Sequence, residues 1–185
     1  FLHQNDIIKF GDFTLASGKK SSYYIDLRLV ASFPHIFRKM IKNLQKLVSE
    51  KTGLDNFDSL VSVPTGGLVI GSALAIETVK PLIYVRDKPK DYGTTKSIEG
   101  KIFSGMKVAL IDDVITTGNS VINGIKQLKD AGLSISDVYV IINRLEGANN
   151  TLELEEVNLY QLTDVLEITT IDRKSTRLNS SHSEI

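Results

Sequence analysis

The chain contains no cysteine in its 185 residues, which excludes a disulfide framework, a thiolate nucleophile and a thiolate zinc site together. Its three histidines, His3, His35 and His182, are scattered and show no ligand spacing, so they read as surface residues rather than an imidazole zinc site. Net charge is also lacking: 22 basic side chains balance 22 acidic ones. Nothing in the total calls for nucleic acid or an anionic membrane as partner, and any anion site must be built locally. No apolar run reaches the roughly 18 residues of a membrane span. The first residues show no basic region followed by an apolar stretch, so the cytoplasm is the expected compartment. What is present, 42% hydrophobic and 24% charged residues, is ordinary for one globular domain with its own core.

Along the chain, Phe1 to Ser32 reads as irregular structure with a short strand near Tyr23-Tyr24-Ile25. From Pro34, the residues Ile36, Phe37, Met40, Ile41, Leu44, Leu47 and Val48 form one apolar stripe at three- and four-residue spacing, predicting a helix that ends near Thr52-Gly53. Alternation follows. Ser59–Val63 is a buried strand, Pro64-Thr65-Gly66-Gly67 a turn, Leu68–Val79 a small-residue helix able to pack close to a sheet, and Pro81–Val85 a strand. Asp87–Gly105 is lysine-rich, poor in apolar residues and long for a simple connection, which predicts a mobile functional loop. Met106–Ile111 is a strand, Gly118–Ala131 an amphipathic helix closed by Gly132, Val138–Ile142 a strand, and Val165–Ile171 a final strand. Strand and helix alternating in this way predict an α/β fold with a parallel sheet covered on both faces. The Ser/Thr/Asn-rich stretch Asp172–Ile185 is expected to be a disordered or foreign tail.

The run VALIDDVITTGNSV, Val108 to Val121, sets two carboxylates at a strand's carboxyl end and a Thr/Gly/Asn/Ser loop directly before a helix, where open α/β sheets bind ligands. Backbone N–H groups of Thr116, Thr117, Gly118, Asn119 and Ser120 with the helix N-terminus can cradle a phosphate, and the hydroxyls of Thr116, Thr117 and Ser120 add donors. Asp112 and Asp113 cannot hold that phosphate, because like charges repel. They suit hydroxyl groups or a hydrated cation. The spacing is neither a Walker loop nor a dinucleotide fingerprint. Taken alone, an Asp-Asp at a strand end is ordinary loop chemistry.

The whole fourteen-residue pattern resembles the phosphoribosyl pyrophosphate motif of the type I phosphoribosyltransferase family. Two further segments, FGDFTLASGKKSSYYIDLR (Phe10 to Arg28) and VRDKPKDYGTTKSIEG (Val85 to Gly100), are similar to the orotate-using branch of that family, and the likeness spans Phe10 to Ile171. It implies a central parallel sheet of about five strands flanked by helices, with a small hood built partly from residues 1–32. It also implies a homodimer whose lid, 87–105, closes over the neighbouring subunit's site, Mg²⁺ as cofactor, and pyrimidine nucleotide formation from orotate and phosphoribosyl pyrophosphate.

On that resemblance Asp112 and Asp113 bind the ribose hydroxyls, while Val114, Ile115, Thr116, Thr117, Gly118, Asn119 and Ser120 surround the 5′-phosphate. Arg86, Lys88, Lys90 and Tyr92 face pyrophosphate, with Lys90 nearest the leaving group. Thr65, Gly66 and Gly67 form a pyrophosphate loop. Ser17, Gly18, Lys19, Tyr23, Tyr24, Thr116 and Arg144 surround orotate. Mg²⁺ is held through substrate pyrophosphate and ribose hydroxyls, with no direct protein ligand required. Departures exist: Asp87 and Tyr92 stand where bacterial members often have lysine and histidine, and Ala16 and Gly66 where some have lysine. A histidine-mediated proton transfer from the lid is thereby removed. A purine- or xanthine-type phosphoribosyltransferase would share the Asp112-Asp113 run but need a different hood. A phosphoribosyl-pyrophosphate-sensing regulator would need a nucleic-acid-binding extension or a basic face.

Overall fold

A computed structural model describes residues 1–14, 18–86 and 97–170. The expected lid residues Lys88, Lys90, Tyr92 and Lys96, the hood residue Ser17 and the 172–185 tail lie outside the described residues.

Six strands form the main sheet: β3 (Ser59–Ser62), β4 (Leu82–Val85), β5 (Ile98–Glu99), β6 (Lys107–Ile115), β7 (Ser134–Asn143) and β8 (Asn158–Asp164). Their spatial order is β5-β4-β3-β6-β7-β8. The five strands β4, β3, β6, β7 and β8 run parallel, as the sequence predicts, and the two-residue β5 adds an antiparallel edge on β4. The strands read as unbroken apolar runs because both faces are covered. The pleat divides each one. Leu60, Ala109, Ile111, Tyr139 and Ile141 face α1 (Pro34–Lys51) and α2 (Gly66–Thr78), joining Ile41, Leu44, Val48, Ile70 and Leu74. Val61, Val108, Leu110, Val138 and Val140 face the opposite layer, joining Val121, Ile125 and Leu128 of α3 (Asn119–Asp130) and Leu152 of α4 (Ala148–Glu153). Side chains such as Leu44, Leu60 and Leu74, with no exposed surface, each contribute about 2 kcal/mol by leaving water.

Three expectations are corrected. The N-terminal segment is not irregular: β1 (Ile8–Thr14) and β2 (Lys20–Ile25) form an antiparallel hairpin, followed by a 3-10 turn over Leu27–Ser32. Strand β6 does not stop at Ile111 but runs to Ile115, so the two aspartates lie inside it, with Asp112 opposite Val140 of β7. The final strand is β8, not Val165–Ile171, and residues 165–170 are helical. The Asp164 carboxylate ends the strand by accepting hydrogen bonds from the Leu166 and Glu167 N–H groups at 2.9 and 3.0 Å, which caps that helical turn.

Helix α2 approaches the sheet through glycines four residues apart. A Cβ at Gly67 would stand 2.9 Å from the Ile111 carbonyl oxygen, and one at Gly71 would stand 1.9 Å from the Ser62 Oγ. That hydroxyl is buried and has no hydrogen-bond partner among the described residues. Gly71→Ala gains helix propensity but overpacks the contact, and we expect a net loss of about 2 kcal/mol in urea unfolding. Ser62→Ala should be near neutral alone and should recover part of that loss in the double variant. Strict additivity of the two changes would refute the contact as the cause.

Candidate active site

The order of the sheet places the site. The chain runs from β3 outward to β4, then returns past β3 to β6, so the carboxyl ends of β3 and β6 flank a point where the winding reverses. Crevices in open α/β sheets form there. Into it project the turn 63–67, which contains a cis Pro64-Thr65 peptide bond, and the loop following β6.

The Asp112 carboxylate is nearly buried, 8% exposed, and its Oδ1 accepts the Asp113 N–H at 2.9 Å. A Cβ at Gly66 would meet the Asp113 Oδ2 at 1.9 Å, and one at Gly67 would meet the Asp112 Oδ1 at 2.7 Å. Both carboxylates therefore lie directly on the first turn of α2, whose N-terminus has no side-chain cap. Two adjacent negative charges are tolerable against the positive end of a helix dipole. This contact explains the glycine pair that the turn carries.

After β6, residues Val114–Val121 and Asp112 enclose a cavity of about 90 Å³. Gly118 is the N-cap of α3, with φ +88° in the left-handed region where glycine is favoured, and it supplies no side-chain cap. The first N–H groups of α3 thus keep their donors for a ligand, and an N-terminus of this kind attracts an anion. Residues Thr116–Ser120 lie together around this cavity.

The cations are arranged less simply. Arg86 lines a separate cavity of about 110 Å³ with Ser120, Asn123 and Gln127, but its Nη1 donates to Glu99 Oε1 at 2.7 Å. Its N–H is bonded to the Ser97 carbonyl at 2.8 Å. Arg144, 6% exposed, follows β7 and packs its guanidinium 4.3 Å from the centre of the Tyr23 ring. Its Nε donates to Glu146 at 2.8 Å and its Nη2 to the Ser21 Oγ at 3.0 Å. The strand pleat separates Tyr23 from Tyr24: Tyr23 meets Arg144, whereas Tyr24 packs on Phe13 with ring centres 5.8 Å apart. Gly18 and Lys19 are exposed at the hairpin's turn. Burial pushes the Tyr23 phenol pKa up; Arg144 opposes that rise and Glu146 adds to it.

Ser21, Arg28 and Glu146 carry contacts that no sequence motif assigns. Arg28 donates through Nε and Nη2 to the Asp26 carboxylate at 2.7 and 2.8 Å. This pairing raises the guanidinium's pKa, and the charge of Asp113 adds to the effect. Arg28 therefore stands within electrostatic reach of the carboxylate pair. Among the described residues no three acidic or histidine side chains cluster as a metal site, and no helix is long and apolar enough to cross a membrane.

A parallel-sheet core, an N-terminal hairpin and carboxylates beside an uncapped helix N-terminus define an α/β domain with acceptors and anion donors at one crevice. The phosphoribosyl transferase domain model matches residues 30–159. The chain is 49% identical over 168 residues to an orotate phosphoribosyltransferase of Cenarchaeum symbiosum, covering 91% of this chain and 84% of that one. Its fold superposes on the crystal structure of orotate phosphoribosyltransferase from Aeropyrum pernix with TM-score 0.81 and 33% identity, covering 90% and 93% of the two chains. Against the UMP synthase of Leishmania donovani the TM-score is 0.82 at 31% identity, and the match covers 94% of this chain but 37% of that one. The chain belongs to the orotate phosphoribosyltransferases of the type I phosphoribosyltransferase family.

The Arg28 hydrogen bond, with smaller help from its charge, holds the Asp26 carboxyl below its ordinary value of 3.8. A depressed folded value means that the stabilisation is present above 3.8 and fades as pH falls through the folded value. Asp26→Asn should therefore flatten the acid limb of the urea midpoint measured against pH. An acid limb as steep as the wild type's would refute this contribution.

Proposed function

We propose that the chain catalyses transfer of the 5-phosphoribosyl group from phosphoribosyl pyrophosphate to N1 of orotate, giving orotidine 5′-monophosphate and pyrophosphate in pyrimidine synthesis. The observation that carries this reading is the seating of Asp112 and Asp113 on the Gly66-Gly67 turn beside the uncapped N-terminus of α3. That arrangement offers acceptors for two ribose hydroxyls and donors for a phosphate on one sheet edge. The bond from C1′ to the pyrophosphate oxygen breaks and the bond from N1 to C1′ forms. Positive charge that develops on the ribose ring is met by the two carboxylates. Neither acts as a base, since orotate attacks as its N1 anion.

In this reading Thr116, Thr117, Gly118, Asn119 and Ser120 bind the 5′-phosphate, Thr65, Gly66 and Gly67 the pyrophosphate, and Arg144 with Tyr23 the orotate ring and carboxylate. Arg86, Lys88 and Lys90 neutralise the leaving pyrophosphate, with Lys90 closest to it. Ser17, Gly18, Lys19, Tyr24 and Tyr92 complete the substrate contacts. The hard oxygens of Asp112 and Asp113 suit Mg²⁺, and we assign the ion mainly to substrate phosphates and ribose hydroxyls, which offer the oxygen ligands it prefers. When bound, the ion neutralises pyrophosphate charge. We assign residues 1–171 to one catalytic domain acting in the cytoplasm as a homodimer, with residues 87–105 shared across subunits.

An absorbance assay of orotate consumption with phosphoribosyl pyrophosphate and Mg²⁺, with hypoxanthine, xanthine and uracil as competitors, tests the reading. Turnover of orotate is expected. Turnover of a purine alone would assign the site to the purine branch, and binding without turnover of any base would assign a sensing role. Gly66→Ala forces the Asp113 carboxylate aside, and since the displaced atom ends a flexible side chain the melting temperature should hardly change. The kcat/KM for phosphoribosyl pyrophosphate should fall about 100-fold; an unaltered value would remove Asp113 from the mechanism. Mixing inactive Lys90→Ala and Asp113→Asn chains should restore part of the activity. Without restoration the two residues do not meet across a dimer.

A further inference from the structure

Arg144 carries five N–H donors on a planar fork, and its surroundings commit that fork before any substrate arrives. Nε is taken by Glu146 at 2.8 Å and one donor of Nη2 by Ser21 at 3.0 Å, while the Tyr23 ring covers one face at 4.3 Å. The side chain is 5% exposed. Among the described residues these contacts leave both donors on Nη1 open. Arg144 and Glu146 reach the same side because Leu145 between them adopts φ +57°, with its own side chain left outside. That left-handed conformation is unfavourable for leucine, and it is supported by Asn143. The Asn143 Oδ1 accepts the Leu145 N–H at 2.8 Å, and its Nδ2 is anchored to Asn149 and Gln161, each at 2.8 Å. A strained turn with a braced asparagine exists here to bring one carboxylate onto one guanidinium.

We propose that Glu146 is the positioning residue that sets the plane of Arg144 and leaves its Nη1 edge as the part that grips a carboxylate-bearing pyrimidine. The inference rests on the assignment of Arg144 to the base under the proposed function. Glu146 compensates the charge of a nearly buried arginine, so the fork stays in place between turnovers instead of swinging toward solvent. Substrate selection then depends on the direction of the fork rather than on excess positive charge.

Two variants separate orientation from packing. Glu146→Ala should raise the KM for orotate about tenfold while kcat changes less than about threefold, as for loss of one charge-assisted hydrogen bond made equally before and during reaction. The KM for phosphoribosyl pyrophosphate should be unchanged. Glu146→Gln retains an acceptor for Nε and should restore most of the orotate KM. An orotate KM unaffected by Glu146→Ala, or an equal rise for both substrates in both variants, would overturn the proposal. A second readout needs no turnover. The chain has no tryptophan, so tyrosinate absorbance is unobscured, and subtraction of a Tyr23→Phe background isolates Tyr23. Since Glu146 adds to the rise of that phenol's pKa, Glu146→Gln should let it ionise at lower pH. An unshifted titration would refute the coupling among the three side chains. If wild-type protein consumes no orotate, the base assignment fails and the substrate part of the proposal with it. A Tyr23 phenol that titrates higher in Glu146→Ala than in Glu146→Gln, because a released Arg144 no longer lowers it, still shows that Glu146 positions Arg144, and equal titrations in the two variants would overturn it.

Discussion

The site depends on how closely α2 lies on the sheet. Gly67 and Gly71 are one helical turn apart and bring the helix against the Ile111 carbonyl and the Ser62 hydroxyl, a separation that no larger side chain permits. Gly66 extends the same face to the Asp113 carboxylate. Moving the helix outward by the width of a methyl group would take its positive end away from two adjacent negative charges. Their mutual repulsion would then lose the offset of that favourable field. The glycines are thus an electrostatic device as well as a packing one, since they set the distance over which the helix dipole acts.

The same approach joins stability to chemistry through a single element. Residues Ile70 and Leu74 of α2 anchor it in the core with Leu44, Val48 and Leu60, so the helix cannot slide to accommodate a ligand. Its N-terminus is held at fixed depth beside the cavity that precedes α3. Under the proposed function, the carboxylates that this helix end holds in place need no rearrangement as positive charge develops on the ribose.

Much of this was legible in the residues, and the exceptions have physical causes. The stripe from Ile36 to Val48 reported α1 because one face of a helix repeats at a short interval, and Val108–Val121 reported the site because its parts are contiguous. The end of β6 is hidden in the sequence because carboxylates read as loop chemistry after Ile111, yet Asp112 keeps its ladder position opposite Val140. The edge strand β8 was missed because most of its residues are only half-buried, which weakens any apolar alternation. Ser21 and Glu146 escaped notice for another reason. Their importance lies in contacts to Arg144: Ser21 is 123 residues from it in the chain, and Glu146, although two residues away, meets it across a left-handed Leu145 that no spacing rule announces.

The arginines bordering the site share one design. Arg28 is held by Asp26, Arg86 by Glu99 and Arg144 by Glu146. Arg144 is buried and Arg86 half-buried, where a guanidinium without a partner is costly, whereas Arg28 is exposed and its acid mainly fixes its direction. Such pairing lowers the positive potential that these three arginines present. Under the proposed function, directed donors work beside the lid cations Lys88 and Lys90: the N–H groups at the start of α3 and the arginine edges that the acids leave open. An acid partner also fixes where each open edge points. Orientation and charge compensation are therefore one property, and a balanced composition is compatible with a site built for a polyanion.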